Sequence, residues 1–408
     1  MKQLIFLFYF LHLLYDSSCT NDSAKIIDDM FENYDKRVRP YAGVKPLEIS
    51  MSAFILDVYG IDEIRHEFTV SMYLRHLWRD PRLASAFRKS KLSAVLLDSE
   101  HAHKLWLPDT FIVNLRKMES PDNFNEATKV SFDGSIVRSN RISTTAACKF
   151  DLGYFPFDMQ VCSLEFESYG FSASEFYYKW KQDSLNFVQV SGEATNPRFH
   201  VANVISKESM ITMHGANFSR FSMEFTLVRY CGRYLTDIYF PIAALTVISF
   251  MTFSVMQYAL KLQLSCFILA AMAVFTSISM GNLPQLSHHT SLDLFLFFNL
   301  GVVFFVVVTH FVLENFKRPG EKNRESLELS DLRRGLQASR DTLADDHFRQ
   351  GRPSWASTIE HVTYQSFGKS KVIIPILYIS FNIAYWTAII IGSIRVQPSS
   401  VAQEDLNV

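Results

Sequence analysis

Cysteine is the residue type whose chemistry is most constrained by spacing in this chain. The sequence contains five cysteines. Cys19 closes a short apolar segment at the N-terminus, Cys231 borders the first long apolar segment, and Cys266 lies inside the second. Cys148 and Cys162 are therefore the only pair within one stretch that could enter an oxidising compartment. We predict that they form a disulfide that stabilises the fold, and the spacing does not favour a catalytic role.

Two histidine pairs, His101 with His103 and His288 with His289, are candidates for binding zinc. No cysteine or carboxylate completes a ligand set at a convincing spacing, so we interpret both pairs as surface histidines and predict no metal and no cofactor. No recognised motif arranges a nucleophile, a base and an orienting group, so we predict that the chain is not an enzyme. Lys plus Arg (40) nearly equal Asp plus Glu (41), which gives no charge that would attract nucleic acid.

The secondary-structure elements that carry these residues belong to two halves of the chain, and we predict that the two halves lie in different solvents. Residues 1–19 have the charged start, short apolar core and small-residue end of a secretory signal peptide. Residues 20–230 alternate polar and apolar positions like a water-soluble domain, and turn signals such as Asp133-Gly134 recur at spacings that suit a β-sandwich. A modest helical period over 24–34 predicts a short helix before the strands.

Four apolar segments then follow, each long enough to cross a bilayer of about 30 Å at about 1.5 Å per residue. We place them at 234–256, 262–283, 291–313 and 371–394. The second also carries polar side chains, which are costly in hydrocarbon unless they face protein or water. One face of this helix, predicted to line a water-filled pore, carries Gln263, Phe267, Ala270, Val274, Ser277 and Gly281. A polar seam packed against neighbouring helices is the alternative.

The connection 314–370 is rich in charged residues, and basic clusters such as Lys317-Arg318 indicate that it is cytoplasmic. An even number of spans returns the C-terminal tail, 395–408, to the side of the N-terminal domain. We therefore predict a multi-pass plasma-membrane protein in contact with lipid, with both termini extracellular.

The run from Cys148 to Cys162 encloses thirteen residues, among them Phe155-Pro156-Phe157-Asp158. Together with the four spans, this run resembles the Cys-loop receptors, which are pentameric ligand-gated ion channels. The resemblance implies an extracellular all-β sandwich that binds ligand, a four-helix transmembrane bundle and a pentameric assembly. Three further motifs support the resemblance: Trp106-Leu107-Pro108-Asp109, Tyr239-Phe240-Pro241 and Asn282-Leu283-Pro284. Two more, Tyr34 to Pro40 and Glu167 to Gly170, look most like the GABA and glycine receptor branch.

In that family the ligand lies at the seam between neighbouring subunits. The principal face implied by the resemblance is an aromatic box beside a carboxylate, which together would hold an ammonium: Phe111, Tyr169, Phe218 and Glu167. The complementary face, which in GABA receptors holds the carboxylate of the ligand, would consist of Tyr73, Arg75, Ser139 and Arg141. This pairing suits a zwitterionic neurotransmitter such as GABA.

The resemblance also implies a gating mechanism and an ion pathway. Agonist binding would close the loop around Phe218, the disulfide-closed loop would press on the linker 284–290, and the second helices would open the pore. The inner mouth, where selectivity is decided, reads Ala259-Leu260-Lys261 and has no acidic ring, which favours chloride over cations. The family usually has a leucine where Ala270 stands, so we expect Phe267, one turn below, to form the narrowest hydrophobic gate.

Three other functions stay open. The chain could belong to a GABA- or amine-gated cation channel, or it could be an auxiliary subunit that conducts only in a heteropentamer. A polytopic transporter with a sensing domain is less favoured, because four dissimilar spans show no inverted repeat. Whether the channel is a homopentamer or a heteropentamer is likewise open, and a postsynaptic location is implied by the resemblance alone.

Two triplets, Asn21-Asp22-Ser23 and Asn217-Phe218-Ser219, match the acceptor pattern for N-linked glycans. The second lies inside the predicted ligand loop. Because a glycan on Asn217 would crowd that site, we expect this residue to be unmodified.

Overall fold

The computed structural model describes residues 23–89, 92–119, 126–181, 188–191, 196–281, 289–315 and 368–396. The predicted signal peptide, Asn21, His288, most of the linker 284–290, most of the charged connection and most of the C-terminal tail lie outside the described residues. The described residues form two compact units: 23–151 with 159–230, and 152–158 with 231–396.

The first unit is built of two β-sheets. The described strands in chain order are β1 Leu47–Asp62, β2 Glu67–Arg79, β3 Ala94–Leu97, β4 Thr110–Ile112, β5 Leu115–Glu119, β6 Glu126–Ser131, β7 Ser135–Ala147, β8 Met159–Ser168, β9 Phe176–Trp180, β10 Val188–Val190, β11 Phe199–Met213 and β12 Ala216–Arg229. One sheet has the order β10-β1-β2-β7-β6-β3, with β9 on β1 and β5 on β7, and the other has the order β11-β12-β8-β4.

The core of this unit lies between the two sheets, because alternate side chains of each strand are apolar and point to one face. In β2 the residues Phe68, Val70 and Met72 are fully buried. Phe68 meets Phe225 of β12 with its ring centroid 5.8 Å away. The predicted β-sandwich is thereby confirmed.

A short helix, α1 at 23–31, precedes the strands and ends three residues earlier than the sequence predicts. Tyr34, beyond its end, is held by tertiary hydrogen bonds. Its hydroxyl donates to Asp80 Oδ2 at 2.9 Å and accepts from the backbone N–H of Trp106 at 3.0 Å. A 3₁₀ helix at Pro81–Lys89 and a one-turn helix, α2 at Ser99–Ala102, complete this end of the domain.

The second unit contains four described helices that are long and apolar enough to cross a membrane. The first, α3 at Gly232–Ser254, contains a π-helical turn at Leu235–Tyr239 just before Pro241. Proline lacks the N–H that the helical ladder needs, which accounts for a widened turn at this point. The others are α4 Tyr258–Gly281, α5 Ser291–Asn315 and α6 Ser370–Val396.

Helix α4 begins about one turn earlier than the predicted span at 262–283. The sequence Ala259-Leu260-Lys261, which lies just before that span, forms part of the first turn of the helix, and the backbone N–H of Lys261 donates to the carbonyl of Gln257 at 2.9 Å. A helix can extend beyond its most apolar stretch, because it continues through polar and basic residues as long as its backbone bonds are satisfied.

The start of α5 has a capping pair that the span prediction did not use. The backbone N–H of Asp293 donates to Thr290 Oγ1 at 3.2 Å, and the backbone N–H of Thr290 donates to Asp293 Oδ2 at 2.8 Å. This reciprocal arrangement satisfies two otherwise unpaired donors at the helix N-terminus.

Candidate functional site

A buried ion pair lies where β8 and β12 run side by side. Arg220 is directly opposite Glu167 in the register of the two strands. Its Nε and Nη2 both donate to Glu167 Oε2, at 2.9 and 2.7 Å, and its Nη1 donates to Glu165 Oε2 at 2.7 Å. Glu167 is only 1% exposed. The carboxylate that the sequence assigned to an incoming ammonium is therefore already paired within the chain, to an arginine that the sequence analysis did not identify.

Two of the predicted aromatic residues are in contact beside this ion pair. Phe111 on β4 is paired in register with Glu167, and its ring meets that of Tyr169 edge to face at a centroid distance of 5.7 Å. The Tyr169 side chain is 82% exposed, which is unusual for so large a ring in a folded domain. A ring presented to solvent in this way is available to a ligand.

Asp109 holds the turn that presents Tyr169. Its Oδ1 accepts from the hydroxyl of Ser168 at 2.7 Å, and its Oδ2 accepts from the backbone N–H of Gly170 at 2.7 Å. A Cβ added to Gly170 would approach Asp109 Oδ2 to 3.3 Å, so the turn is also packed tightly against this carboxylate. The motif that ends in Asp109 thus has a local structural role.

The third predicted aromatic residue, Phe218, lies near the tip of the hairpin formed by β11 and β12. The hairpin turns at Gly215, whose φ of +82° strongly favours glycine, and Ile211 is paired with Phe218 across it. Phe218 is half-buried. Because side chains two apart along a strand share a face, Phe218 lies on the same face of β12 as Arg220.

The four predicted complementary residues lie on the other sheet, where β2 and β7 pair. Tyr73 is directly opposite Arg141, and Arg75 is directly opposite Ser139. Both arginines are exposed, and within the described part of the chain neither guanidinium has an ion-pair or hydrogen-bond partner. The two exposed guanidinium groups, with a hydroxyl on either strand, form a surface that can accept a carboxylate in a bidentate manner.

The predicted pore face of α4 points away from the other helices of its own subunit. Gln263, Phe267, Ala270, Val274 and Ser277 are all exposed, Phe267 at 71%. This exposure leaves the face available to water or to a neighbouring subunit.

Three other polar residues of α4 do not lie on that face. Ser265, Thr276 and Ser279 are buried against the subunit's own helices, as the alternative of a packed polar seam expects. The polar content of this span is therefore divided between an exposed face and an internal seam, a division that composition alone could not make.

The predicted disulfide between Cys148 and Cys162 is present. The segment it encloses at 152–158 belongs to the second unit. There the hydroxyl of Ser291 donates to the carbonyl of Phe155 at 2.7 Å, and the ring of Phe155 meets that of Tyr234 at 5.0 Å. The loop is thus held at the start of α5 and α3.

The histidine and glycan candidates lie apart from these residues. His101 pairs with Asp98, His103 lies 3.9 Å from Glu126, and His289 is exposed. The part of the chain that the structure describes contains no group of three or more His, Cys, Asp or Glu side chains able to hold a metal ion. Asn217 is exposed on the β11–β12 hairpin.

A β-sandwich with an aromatic and charged surface, a disulfide-closed loop and, later in the chain, four apolar helices together define a class: a membrane receptor subunit with an external ligand-binding domain. The neurotransmitter-gated ion-channel ligand-binding domain family matches residues 23–230, slightly more than half of the chain. The chain belongs to this family.

Curated relatives agree with this assignment. A protein named gamma-aminobutyric acid receptor subunit beta from Lymnaea stagnalis is 29% identical over 300 residues, and one named gamma-aminobutyric acid receptor subunit beta-like from Drosophila melanogaster is 30% identical over 302. Each match covers 71% of this chain and 59% of the relative. A mouse protein named gamma-aminobutyric acid receptor subunit theta is 29% identical over 294 residues, covering 70% of this chain and 45% of that protein. The chain thus spans well under two thirds of the length of these relatives.

Proposed function

We propose that this chain is a subunit of a plasma-membrane ion channel that a small zwitterionic amino acid, GABA or a close analogue, opens to chloride. The observation that carries the proposal is the presence, on one domain, of two chemically opposite surfaces. One has the exposed ring of Tyr169 and the half-buried ring of Phe111 next to two carboxylates and one guanidinium, and the other has two guanidinium groups that are unpaired among the described residues.

The first surface suits the ammonium end of such a ligand. Glu165, Glu167 and Arg220 together carry one net negative charge, and the rings of Phe111 and Tyr169 present π-faces that attract a cation. Because Arg220 already pairs with Glu167, the aromatic rings supply most of the direct contact with the ammonium. The carboxylates contribute mainly through their residual charge.

The second surface suits the carboxylate end. Arg75 and Arg141 are exposed and unpaired among the described residues, and a guanidinium binds a carboxylate through two parallel hydrogen bonds. The two surfaces lie on different sheets of the chain, so a ligand that uses both would bridge two adjacent subunits. This requirement favours a ring-shaped assembly, the pentamer typical of the family.

Chloride is proposed as the permeant ion because of the charges at the start of α4. Among the described residues, the stretch Tyr258–Gly281 contains Lys261 as its only charged side chain. Lys261 has the helical phase of the buried Ser265 and Ile268 and not of the row from Gln263 to Ser277, so the proposal rests on the absence of an acidic side chain from this stretch. Without a ring of carboxylates, the pathway has no group there that would attract cations. The curated relatives named as GABA receptor subunits support the same ligand class for this chain, and a postsynaptic membrane is the corresponding location.

The proposal is tested by expressing the full chain alone in oocytes and applying GABA under voltage clamp. The expected result is a current whose reversal potential follows the chloride gradient. A reversal potential that follows sodium would instead identify a cation channel, and the absence of any current to GABA or other small amino acids would refute a channel that works alone.

Arg75 provides the matched variant. Arg75→Ala should raise the half-maximal GABA concentration about tenfold or more, because it removes a charge-assisted bond worth roughly 2 kcal/mol. Arg79→Ala is the control, since Arg79 is exposed on the same face of β2 but donates to the backbone carbonyl of Asp133. Equal shifts in both variants would contradict a specific role for Arg75.

One observation favours a second candidate, an auxiliary subunit. The bulky ring of Phe267 is 71% exposed on the proposed pore face, and several such rings around one axis would narrow the pathway. If the chain gives no current alone but alters the GABA currents of a related subunit expressed with it, this second function is the correct one.

A further inference from the structure

We propose that Asn217 carries an N-linked glycan and that the glycan projects from the hairpin on the side opposite Phe218. The inference rests on the extracellular placement of the β-sandwich in the proposed function. It reverses the expectation from the sequence that Asn217 is unmodified, because the structure separates this residue from the candidate ligand surface.

The separation follows from the alternation of side chains along β12. Ser219, Phe221 and Met223 are buried, whereas Phe218 and Arg220 are half-buried on the other face. Asn217 has the parity of the buried set, so it points away from the face that carries Phe218 and Arg220. A glycan on Asn217 therefore does not fill the candidate ligand surface.

Asn217 is nevertheless exposed, because the neighbouring strand ends before it. The pairing of β12 with β8 runs from Val228 to Arg220, and on the β11 side Asn217 faces Thr212. Beyond the last β8 pair, the backbone carbonyl of Asn217 accepts from the backbone N–H of Ala173 at 2.7 Å, so the segment after β8 lies beside the backbone of Asn217. The residue is nevertheless exposed, and a group attached to its side chain extends towards solvent.

The side chain of Asn217 is also oriented in a way that suits the modification. Its Oδ1 accepts a hydrogen bond from Thr212 Oγ1 at 2.8 Å, and among the described residues its side chain makes no other hydrogen bond. The amide nitrogen, to which an N-linked glycan is attached, has no hydrogen-bond partner among the described residues. The fold therefore accommodates the glycan without breaking a native contact.

The experiment uses the full chain expressed in a eukaryotic cell, with Asn21→Gln to leave Asn217 as the only acceptor triplet. Treatment with peptide N-glycosidase should increase its electrophoretic mobility, and mass spectrometry should find that the enzyme has converted residue 217 to aspartate. Asn217→Asp and Asn217→Gln should both abolish the shift. Asn217→Asp keeps an oxygen that can accept from Thr212, so it protects the test against loss of folding. Ser219→Ala is unsuitable, because the Ser219 hydroxyl oxygen also accepts from the backbone N–H of Tyr178.

A control variant separates failure of this inference from failure of the proposed function. Lys129 is exposed on β6, and Lys129→Asn creates an acceptor triplet with Val130 and Ser131 in the same domain. If the control acceptor is glycosylated and Asn217 is not, the glycan inference is overturned while the extracellular placement stands. If neither is glycosylated, the extracellular placement is overturned and the inference falls with it.

Discussion

Arg220 shows how a single side chain sets the electrostatics of the candidate ligand surface. It donates to both Glu165 and Glu167, and the side chain of Glu167 is almost completely buried. A carboxylate in such a position is stabilised only while its partner is present, because removal of one member leaves an uncompensated charge in a poorly solvated site.

We therefore expect Arg220→Ala to reduce stability by about 3 kcal/mol. The double variant Arg220→Ala with Glu167→Gln should recover part of the loss, because it also removes the stranded charge. Thermal unfolding of the detergent-solubilised chain measures both effects. Lys179→Ala is the control, because Lys179 and Glu48 form an exposed pair that contributes about 0.5 kcal/mol or less. Equal losses in Arg220→Ala and Lys179→Ala would contradict the prediction.

His76 should make the stability of the β-sandwich depend on pH. It is buried, its Nε2 lies 3.2 Å from Thr110 Oγ1, and burial, with a smaller effect of the Arg138 charge, lowers its pKa from 6.5 to about 3. Below about pH 6.5 the unfolded chain binds a proton that the folded chain does not bind. The stabilisation is therefore complete above that pH and is lost progressively as the pH falls towards 3.

Between pH 7 and pH 5 this single histidine should reduce stability by about 2 kcal/mol. Unfolding midpoints measured at both pH values for the parent chain and for His76→Gln provide the test, and the variant should show a smaller decrease. His103→Gln is the control, since the side chain of His103 is 57% exposed and the variant should keep the parent slope. A parent-like slope in His76→Gln would show that other groups cause the pH dependence.

At the scale of elements, helix α4 has two faces in different environments. One face packs Ile268 and Met272 inside the subunit, and the other exposes the row from Gln263 to Ser277. A helix with one packed face and one exposed row can line a pathway while its core contacts hold it in place. Phe267 is the bulkiest side chain of the exposed row.

We expect Phe267→Ala to produce channels with a resting current, because the variant removes the bulky apolar ring proposed to close the pathway. The leak is measured under voltage clamp without agonist, relative to surface expression. Leu269→Ala is the control, since Leu269 is half-buried and lies about 200° around the helix from Phe267, away from the proposed pore row. An unchanged resting current in Phe267→Ala, or the same leak in both variants, would exclude Phe267 as the gate.

At the scale of the whole molecule, the two proposed ligand surfaces belong to different sheets of one chain, and only an assembly can combine them. A chain with Phe218→Ala should respond poorly to GABA because its aromatic surface is damaged. A chain with Arg75→Ala should respond poorly because its guanidinium surface is damaged. Each variant therefore keeps intact the surface that the other variant has lost.

Coexpression of these two variants should restore a response at low GABA concentration. Some interfaces of a mixed assembly combine the intact aromatic surface of one variant with the intact guanidinium surface of the other. The recovery of sensitivity is measured from the dose–response curve of the mixture. The curve is compared with that of each variant alone and with that of a double variant that carries both changes. A mixture no more sensitive than its components would show that the site does not lie between subunits.

Much of this organisation is encoded locally and could be predicted from the sequence. The disulfide partners Cys148 and Cys162 follow from counting cysteines by compartment, the four spans follow from runs of apolar residues, and the sandwich follows from alternation with turn signals. These features depend on covalent order and on periodicity over a few residues, which one chain displays directly.

Other features were decided only by tertiary structure. Arg220 meets Glu167 because the register of β12 on β8 places residues 53 positions apart opposite each other, and no local pattern specifies that register. The same is true of the buried Ser265, which differs from the exposed Ser277 in the direction in which the packed helix presents its side chain. The sequence by itself determined which elements form and which residue types they carry. The tertiary structure decided which side chains are paired, buried or left to a ligand, because burial and pairing arise from contacts between distant segments.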